Sequence, residues 1–395
     1  MRVLITTSSN YLAFHGQAIF TKNLAEGLVR HGHEVLVVAS SERGPFAETE
    51  HQGVHVIELK SISLQLINPN DVLAISTGRE LKKIFTSFKP EIVHIQDHYP
   101  LCRSATLLAQ KSGIYLVGTN HFMPENLAAY IPLVSRIRPF YEWVLWHWMR
   151  EVYDRLDTVV GPSRAAVKML KNVGVRPRTI SISCGVDENL FHPILAVDKS
   201  VYRANYGICS PCTVIFFVGR VDREKRLDVI IRSMKVLNRE DIQFVIAGNG
   251  AEKRRLLALA SELGLENKVH FSGFIPNTDL PSLLNSIDIF IMPGDAELLS
   301  IASLQAMACA RPMLVADAVA LPELVSEYEN GLLFQPGDVD DAAHCLAFLV
   351  DHPERWSDMG AASLLRSKKH RLDHIINEYE KLYRALVEGK PIQEQ

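Results

Sequence analysis

The chain has 395 residues, 47% hydrophobic and 22% charged, which excludes a disordered or collagen-like polypeptide and fits about two or three globular units. Its 42 Lys plus Arg against 45 Asp plus Glu leave a formal charge of -3, too little cation excess for a protein that holds nucleic acid by counterion release. The 6 cysteines form no secreted disulfide framework and fit a reducing compartment, with the cytoplasm as the expected location.

In chain order, the first apolar run, Val3-Leu4-Ile5, ends at once in Thr6-Thr7-Ser8-Ser9-Asn10, which is too short for a signal-peptide core. No later segment reaches the ~18 to 20 apolar residues of a membrane span. Short β-branched runs at 3–6, 34–39, 54–59, 92–95, 114–119, 158–160 and 179–182 alternate with helical periods such as 18–30 and 72–88. That alternation predicts βα units around a parallel sheet. The stretch 187–207 holds Phe191-His192-Pro193 and no clear period, and reads as a linker. The strand series restarts at 213–218 and runs through 244–247, 287–291 and 313–316, so a second sheet of the same kind is expected. A helical stretch at 375–387 closes the chain. The expected fold class is therefore α/β, with two tandem doubly wound domains facing a cleft and functional residues beyond the carboxyl ends of the strands.

Three stretches carry chemistry at such strand ends. In Gly219-Arg220-Val221-Asp222-Arg223-Glu224-Lys225, Arg220 and Lys225 bracket a place for an anion, the guanidinium as a fork and the ammonium as a point charge. A solvated basic helix start is the competing reading, and for two cations alone the more common one. Gly248-Asn249-Gly250 follows the next strand, with backbone N–H groups that either face an anion or form an ordinary turn; no Walker or dinucleotide spacing surrounds it. In Pro293-Gly294-Asp295-Ala296-Glu297, the carboxylate of Glu297 either accepts hydrogen bonds from ligand hydroxyls or caps the following helix.

Taken together, Gly219-Arg220 with Lys225, the turn 248–250, and Glu297 running into Ala306-Met307-Ala308 and Pro312 resemble the donor-binding domain of retaining glycosyltransferases of the GT-B fold, family four. The resemblance extends over nearly the whole chain, through Phe14-His15-Gly16-Gln17, Thr119-Asn120-His121 and Cys184-Gly185-Val186-Asp187. It implies an N-terminal Rossmann-like acceptor domain at 1–190, a C-terminal Rossmann-like donor domain at 191–374, and a helix at 375–395 packing back toward the first. It further implies that Arg220 and Lys225 neutralise the donor diphosphate and that Glu297 binds hydroxyls of the sugar. The backbone at Leu299, Ser300 and Ile301 would meet the phosphates, with Gly219, Gly248 and Asn249 close by. Gly16 would admit the diphosphate, His121 would contact the reacting region, and Phe274 and Ile275 would pass near the base.

Three positions depart from the family pattern. Gln305 stands where a second glutamate holds ribose hydroxyls, Ala310 stands where glycine is usual, and the Gly16 loop has one glycine rather than two. An amide oxygen still accepts a hydrogen bond, without charge assistance. The implied reaction is transfer of a hexose from a nucleotide diphosphate sugar, UDP-linked by preference, with retention of configuration. The leaving phosphate itself helps to deprotonate the acceptor. The nucleotide sugar is then a co-substrate, with no further cofactor. No metal is expected, because Asp97-His98 and the pair Cys209 and Cys212 each lack a four-ligand set, and His94 is expected to pack or to line the cleft.

The acceptor is sought in the first domain. Segment 122–157 places Phe140, Tyr141, Trp143, Trp146 and Trp148 among Arg136, Arg138, Arg150 and Arg155. This suits either a helix lying in an anionic membrane interface through 136–155 or one packing its indoles into the core. With 121–126, 296–301 and 320–325, the chain looks most like bacterial members acting on diacylglycerol or related lipids, and Glu125 and Asn126 are the expected acceptor contacts. The membrane contact would be peripheral, on the inner face. The alternatives are a transferase with a soluble small-molecule acceptor, a sugar-nucleotide epimerase, and a non-catalytic nucleotide-sugar binding protein.

Overall fold

The computed structural model describes all residues except 43, 64–71, 75–76, 125–137, 195–197 and 393–395. The chain divides into two compact units, Met1–Cys184 with Leu372–Gln395, and Gly185–Arg371.

In the first unit the strands are β1 (Arg2–Thr6), β2 (Glu34–Ser40), β3 (Ala47–His51), β4 (Val54–Leu59), β5 (Ser61–Ser63), β6 (Val72–Ala74), β7 (Ile92–Ile95), β8 (Tyr115–Thr119), β9 (Thr158–Gly161) and β10 (Arg178–Ser181). Eight of them form one sheet in the order β10-β9-β8-β7-β1-β2-β4-β3, parallel except where β3 turns back along β4. The unbroken apolar runs follow from helices covering both faces of a parallel sheet, and Val3, Leu4 and Ile5 are wholly buried. The edge strand β3 carried no hydrophobic signal, because Glu48, Thr49 and Glu50 all face solvent. The helical period expected over 72–88 holds only for Thr77–Phe88; Val72–Ala74 pairs instead with Ser61–Ser63 as a two-stranded ribbon.

The second unit has β11 (Thr213–Val218), β12 (Ile242–Ala247), β13 (Val269–Gly273), β14 (Ile289–Met292), β15 (Met313–Ala316) and β16 (Gly331–Phe334), all parallel, in the order β13-β12-β11-β14-β15-β16. Numbered within the unit this is 3-2-1-4-5-6, the doubly wound dinucleotide-fold order. Both units are thus Rossmann-like α/β domains.

The stretch read as a linker belongs to the second unit and contains the helix Lys199–Asn205, capped by Asp198. Its anchor is charged, which hid it from a hydrophobic period. Buried Arg203 donates to Asp288 at 2.7 Å and to the backbone oxygens of Ser210, Cys212 and Ser286. Just before β11, Cys209 and Cys212 are joined in a disulfide, where the cysteine count suggested only reduced thiols; their Cα atoms lie 5.5 Å apart in a tight turn. The other four cysteines are free and buried.

The closing helix, Leu372–Val387, is an integral part of the first unit. Its Ile376 packs so closely on Gly27 that a Cβ there would lie 2.6 Å from Ile376 Cδ1. Its Tyr383 hydroxyl meets His94 Nδ1 at 2.7 Å, and its Tyr379 hydroxyl meets Thr119 at 3.1 Å. His94 therefore packs: it is fully buried, and its other nitrogen lies 2.8 Å from Thr119 Oγ1.

Candidate functional site

Strand order reverses direction about β11 in the second unit, since β12 lies to one side of it and β14 to the other. The loops leaving β11 and β14 consequently part in opposite directions and leave a crevice at their carboxyl ends, where ligands of such sheets bind. Arg220 and Lys225 lie in the first of these loops and Glu297 in the second. A single turn of 3-10 helix, Arg223–Lys225, sets Lys225 against the other loop, and Arg226 follows in the left-handed region at φ 48.

Lys225 Nζ pairs with Glu297 Oε1 across the switch point, and both side chains are largely withdrawn from solvent. The backbone ties the same loops together, Asp295 N donating to the Glu224 oxygen at 3.2 Å. Arg220 reaches Asp222 at 2.8 Å and Glu224 at 3.2 Å. Burial raises the Glu224 pKa, and the charges of Lys225 and Arg220 oppose that rise. The cations expected to meet a diphosphate are thus held in place by carboxylates of the same site.

Glu297 does not cap the following helix. Ser300 is the cap of Ile301–Ala308, its hydroxyl accepting from Ser303 N at 3.1 Å. Among the described residues, the N–H groups of Leu299, Ser300 and Ile301 have no acceptor. Such unmatched donors at a helix start suit an anion. Gln305 lies one turn further on, half-buried, and its amide makes no hydrogen bond among the described residues.

The turn 248–250 has an architectural explanation. A Cβ on Gly248, whose φ is 126, would come within 1.9 Å of the Gly219 carbonyl oxygen, and one on Gly250 within 2.3 Å of the Val221 oxygen. The Gly248 N–H is committed to the Gly273 oxygen at 2.7 Å, and the Asn249 oxygen accepts from Val221 N at 2.9 Å. These glycines let two loops lie backbone to backbone beside Arg220. Of the two residues expected near the base, Phe274 is half exposed whereas Ile275 is buried in the core.

The first unit has its own switch point between β1 and β7. Asp97, after β7, bridges it by accepting from Ser8 N at 2.7 Å, Ser8 Oγ at 2.8 Å and Gln17 Nε2 at 3.0 Å. Gly16 opens the helix Gly16–Arg30, and a Cβ there would meet nothing within 4 Å, so the fold gives no reason for a glycine. His121 Nε2 donates to Gln96 Oε1 at 3.0 Å, and its ring lies 4.9 Å from that of Phe20. Burial, reinforced by the charge of His15, pushes the His121 pKa down to about 3, so the ring is neutral with its unprotonated nitrogen at Nδ1.

Around these residues lies a set of polar groups that sequence spacing did not single out. Gln96, His98 and Asn120 are completely buried, yet Gln96 Nε2, both His98 nitrogens and Asn120 Nδ2 have no hydrogen-bond partner among the described residues. His98 is walled by Tyr99, Phe122 and Trp148, with ring centroids 4.6 to 5.0 Å away. The dipeptide Asp97-His98, whose spacing favours a structural role over a metal site, is the sequence signal that marks this place. Among the described residues no three His, Cys, Asp or Glu side chains converge as a metal set.

Glu125 and Asn126 lie outside the described residues, as does the rest of 125–137 in segment 122–157. Its described helix, Arg138–Tyr153, combines the two readings weighed for it. Phe140 and Trp143 are exposed and stack on one another at 6.1 Å, while Trp146 packs on the core and Trp148 on His98. Among the described residues no helix is long and apolar enough to cross a membrane.

Comparison with known proteins agrees with this architecture. Residues 198–365 match the family described as Glycosyl transferases group 1, and residues 14–190 match Glycosyltransferase Family 4. Together the matches take in most of the chain, which belongs to these GT-B glycosyltransferases. An uncharacterized glycosyltransferase of Methanocaldococcus jannaschii is 27% identical over 94% of this chain and 95% of its own. Sulfoquinovosyl transferase of Arabidopsis thaliana is 27% identical over 88% of this chain and 67% of its own. A GDP-mannose-dependent alpha-mannosyltransferase of Mycolicibacterium smegmatis is 28% identical over 96% of this chain and 97% of its own. Among solved structures, sucrose-phosphate synthase from Thermosynechococcus elongatus superposes with a TM-score of 0.82 at 19% identity, covering 98% of this chain and 100% of that one. Anabaena HepE in complex with UDP-glucose gives 0.79 at 17% identity, with 98% and 100% covered.

Proposed function

We propose that this glycosyltransferase moves a hexose from a UDP-sugar, with retention of configuration and without a metal ion, to the hydroxyl of a membrane lipid such as diacylglycerol or a glycolipid. The observation that carries the donor half is the meeting of Lys225 and Glu297 across the β11/β14 switch point, beside the free N–H groups at 299–301. On arrival of the donor, Lys225 and Arg220 turn to the diphosphate and stabilise the charge that grows on its leaving oxygen, while Glu297 accepts from sugar hydroxyls. The acceptor hydroxyl attacks the anomeric carbon from the face the phosphate leaves, and its proton passes to that phosphate. His121, neutral, orients the reacting sugar.

The lipid acceptor is supported by the sulfoquinovosyl transferase likeness and by the exposed pair Phe140 and Trp143, which suits a lipid interface at the inner face of the cell membrane. The experiment supplies UDP-glucose or GDP-mannose to the protein with vesicles holding diacylglycerol, in parallel with a panel of soluble acceptors. Product on the lipid, with the anomeric configuration of the donor by NMR, is the expected result. Product only on a soluble acceptor overturns the lipid reading, transfer from GDP-mannose alone overturns the UDP reading, and an isomerised donor without acceptor makes the protein an epimerase. Donor binding with neither transfer nor hydrolysis makes it a binding protein.

A further inference from the structure

A cavity of about 760 Å³ in the first unit lies away from its β1/β7 switch point, along the outer strand β10, which among the described residues pairs only with β9. Its walls are the helix Arg164–Asn172 and the last turns of Leu372–Val387 with the residues that follow to Ile392. Arg164, Lys168 and Lys171 come from the first helix at spacings of four and three, so they lie on one face. Lys381, Arg384 and Lys390 come from the other wall. Between these two cationic walls the floor is apolar, made by Ile180, Ile182 and Leu382.

Six cations face two carboxylates, Glu378 and Glu388, in a chain whose formal charge is -3. The carboxylates do not neutralise the groove. Glu388 pairs with Lys390 at 2.6 Å, Glu380 reaches Arg384 at 3.9 Å, and Glu378 faces His374 at 3.5 Å and feels the charge of Lys381, whereas Lys168, Lys171 and Lys381 have no ion pair within 4.0 Å among the described residues. Like charges gathered from separate elements repel one another, so the arrangement does not stabilise the fold and is complementary to an anion. Because the floor between them is apolar, the ligand with matching chemistry is amphiphilic.

We infer that this groove seats an anionic phospholipid of a bilayer, the phosphate among the lysines and the upper acyl chain on Ile180, Ile182 and Leu382. The seat is a second membrane contact on the first unit, separate from the aromatic pair of the helix Arg138–Tyr153 and independent of which acceptor the enzyme uses. Each lysine near an anionic surface contributes about 1 kcal/mol, so neutralising three of them weakens partitioning roughly a hundredfold.

The test is flotation of the full chain with vesicles of phosphatidylcholine alone and of phosphatidylcholine with phosphatidylglycerol. Wild type is compared with the triple variant Lys168→Gln/Lys171→Gln/Lys381→Gln and with Phe140→Ala/Trp143→Ala. The three lysines are exposed, so the triple variant is expected to keep its circular dichroism and its titration with nucleotide sugar, two readouts that do not depend on lipid. The expected result is binding of wild type only when phosphatidylglycerol is present, reduced about a hundredfold in the triple variant. Four results overturn the inference: wild type that binds no anionic vesicle, a triple variant that binds as wild type does, loss confined to the Phe140/Trp143 variant, or full displacement by inorganic phosphate at matched ionic strength. The last would make the groove a site for a soluble phosphate.

Discussion

The two switch points are built on the same topology and are bridged by different chemistry. In the first unit Asp97 joins the loops by accepting from neutral donors, the Ser8 backbone and hydroxyl and the Gln17 amide, and nearby Gln96, His98 and Asn120 leave buried polar atoms unmatched among the described residues. In the second unit the bridge is an ion pair, Lys225 with Glu297, flanked by Arg220 on its own carboxylates. The contrast shows which charges a ligand can take over. Asp97 has its acceptor capacity filled by the fold, whereas Lys225 and Arg220 are held by carboxylates, partners that the phosphate of the proposed donor would replace.

The largest expected effect separates the pair's catalytic part from its structural part. Lys225→Ala or Glu297→Ala should lower turnover by roughly a hundred- to a thousandfold. Lys225→Ala also leaves a buried carboxylate alone, at a cost of about 3 kcal/mol in urea unfolding. The double variant Lys225→Met/Glu297→Leu should recover most of that stability and none of the activity. Recovery of activity with stability would reduce the pair to a strut.

The glycines sharpen the same comparison. Gly248→Ala should destabilise by about 3 kcal/mol, because its Cβ would collide with the Gly219 carbonyl oxygen in a left-handed backbone. Gly16→Ala should change stability by less than about 0.5 kcal/mol and yet reduce donor turnover. Equal losses of stability at the two sites would remove the distinction between an architectural glycine and one that admits a ligand.

Acid should weaken the first unit through its buried neutral histidines. Burial lowers the pKa of His94 and of His121 to about 3, whereas the unfolded chain titrates them near 6.5. The folded pKa is the lower one, so their contribution to stability is complete above pH 6.5 and is lost as pH falls toward 3. The slope is about 1.4 kcal/mol per pH unit for each histidine. Denaturant titrations of wild type and His94→Gln between pH 7 and pH 4 should differ by one such slope.

Two smaller effects concern the departures from the family pattern. Gln305→Glu should tighten donor binding about fivefold through charge-assisted hydrogen bonds to ribose, and no change in calorimetric affinity would take Gln305 out of the site. Ala310, at φ 57, adopts a left-handed backbone, so Ala310→Gly should raise stability by up to about 1 kcal/mol in thermal unfolding.

The sheets were legible because fully buried parallel strands write continuous apolar runs, as Val3 to Ile5 and Thr213–Val218 do. What escaped was held by other forces. The strand Ala47–His51 is exposed and polar, the helix Lys199–Asn205 is anchored by Arg203 on Asp288, and β16 begins at a glycine whose Cβ would meet the Met313 oxygen at 2.2 Å. At the β11/β14 crevice, the sequence could place Lys225 and Glu297 at two strand ends. Only the strand order brings those ends to one crevice, 72 residues apart along the chain. The buried group of Gln96, His98 and Asn120 was illegible, since an unmatched hydrogen bond leaves no mark in composition or spacing.

The central claim is that the β11/β14 switch point holds the diphosphate of a nucleotide sugar through Lys225 and Glu297. Calorimetric titration of UDP-glucose into wild type and into Lys225→Met/Glu297→Leu tests it most directly, because the double variant is expected to stay folded. Saturable binding to wild type, weakened at least about a hundredfold in the double variant, is the predicted result. Equal affinity for the two proteins would contradict it.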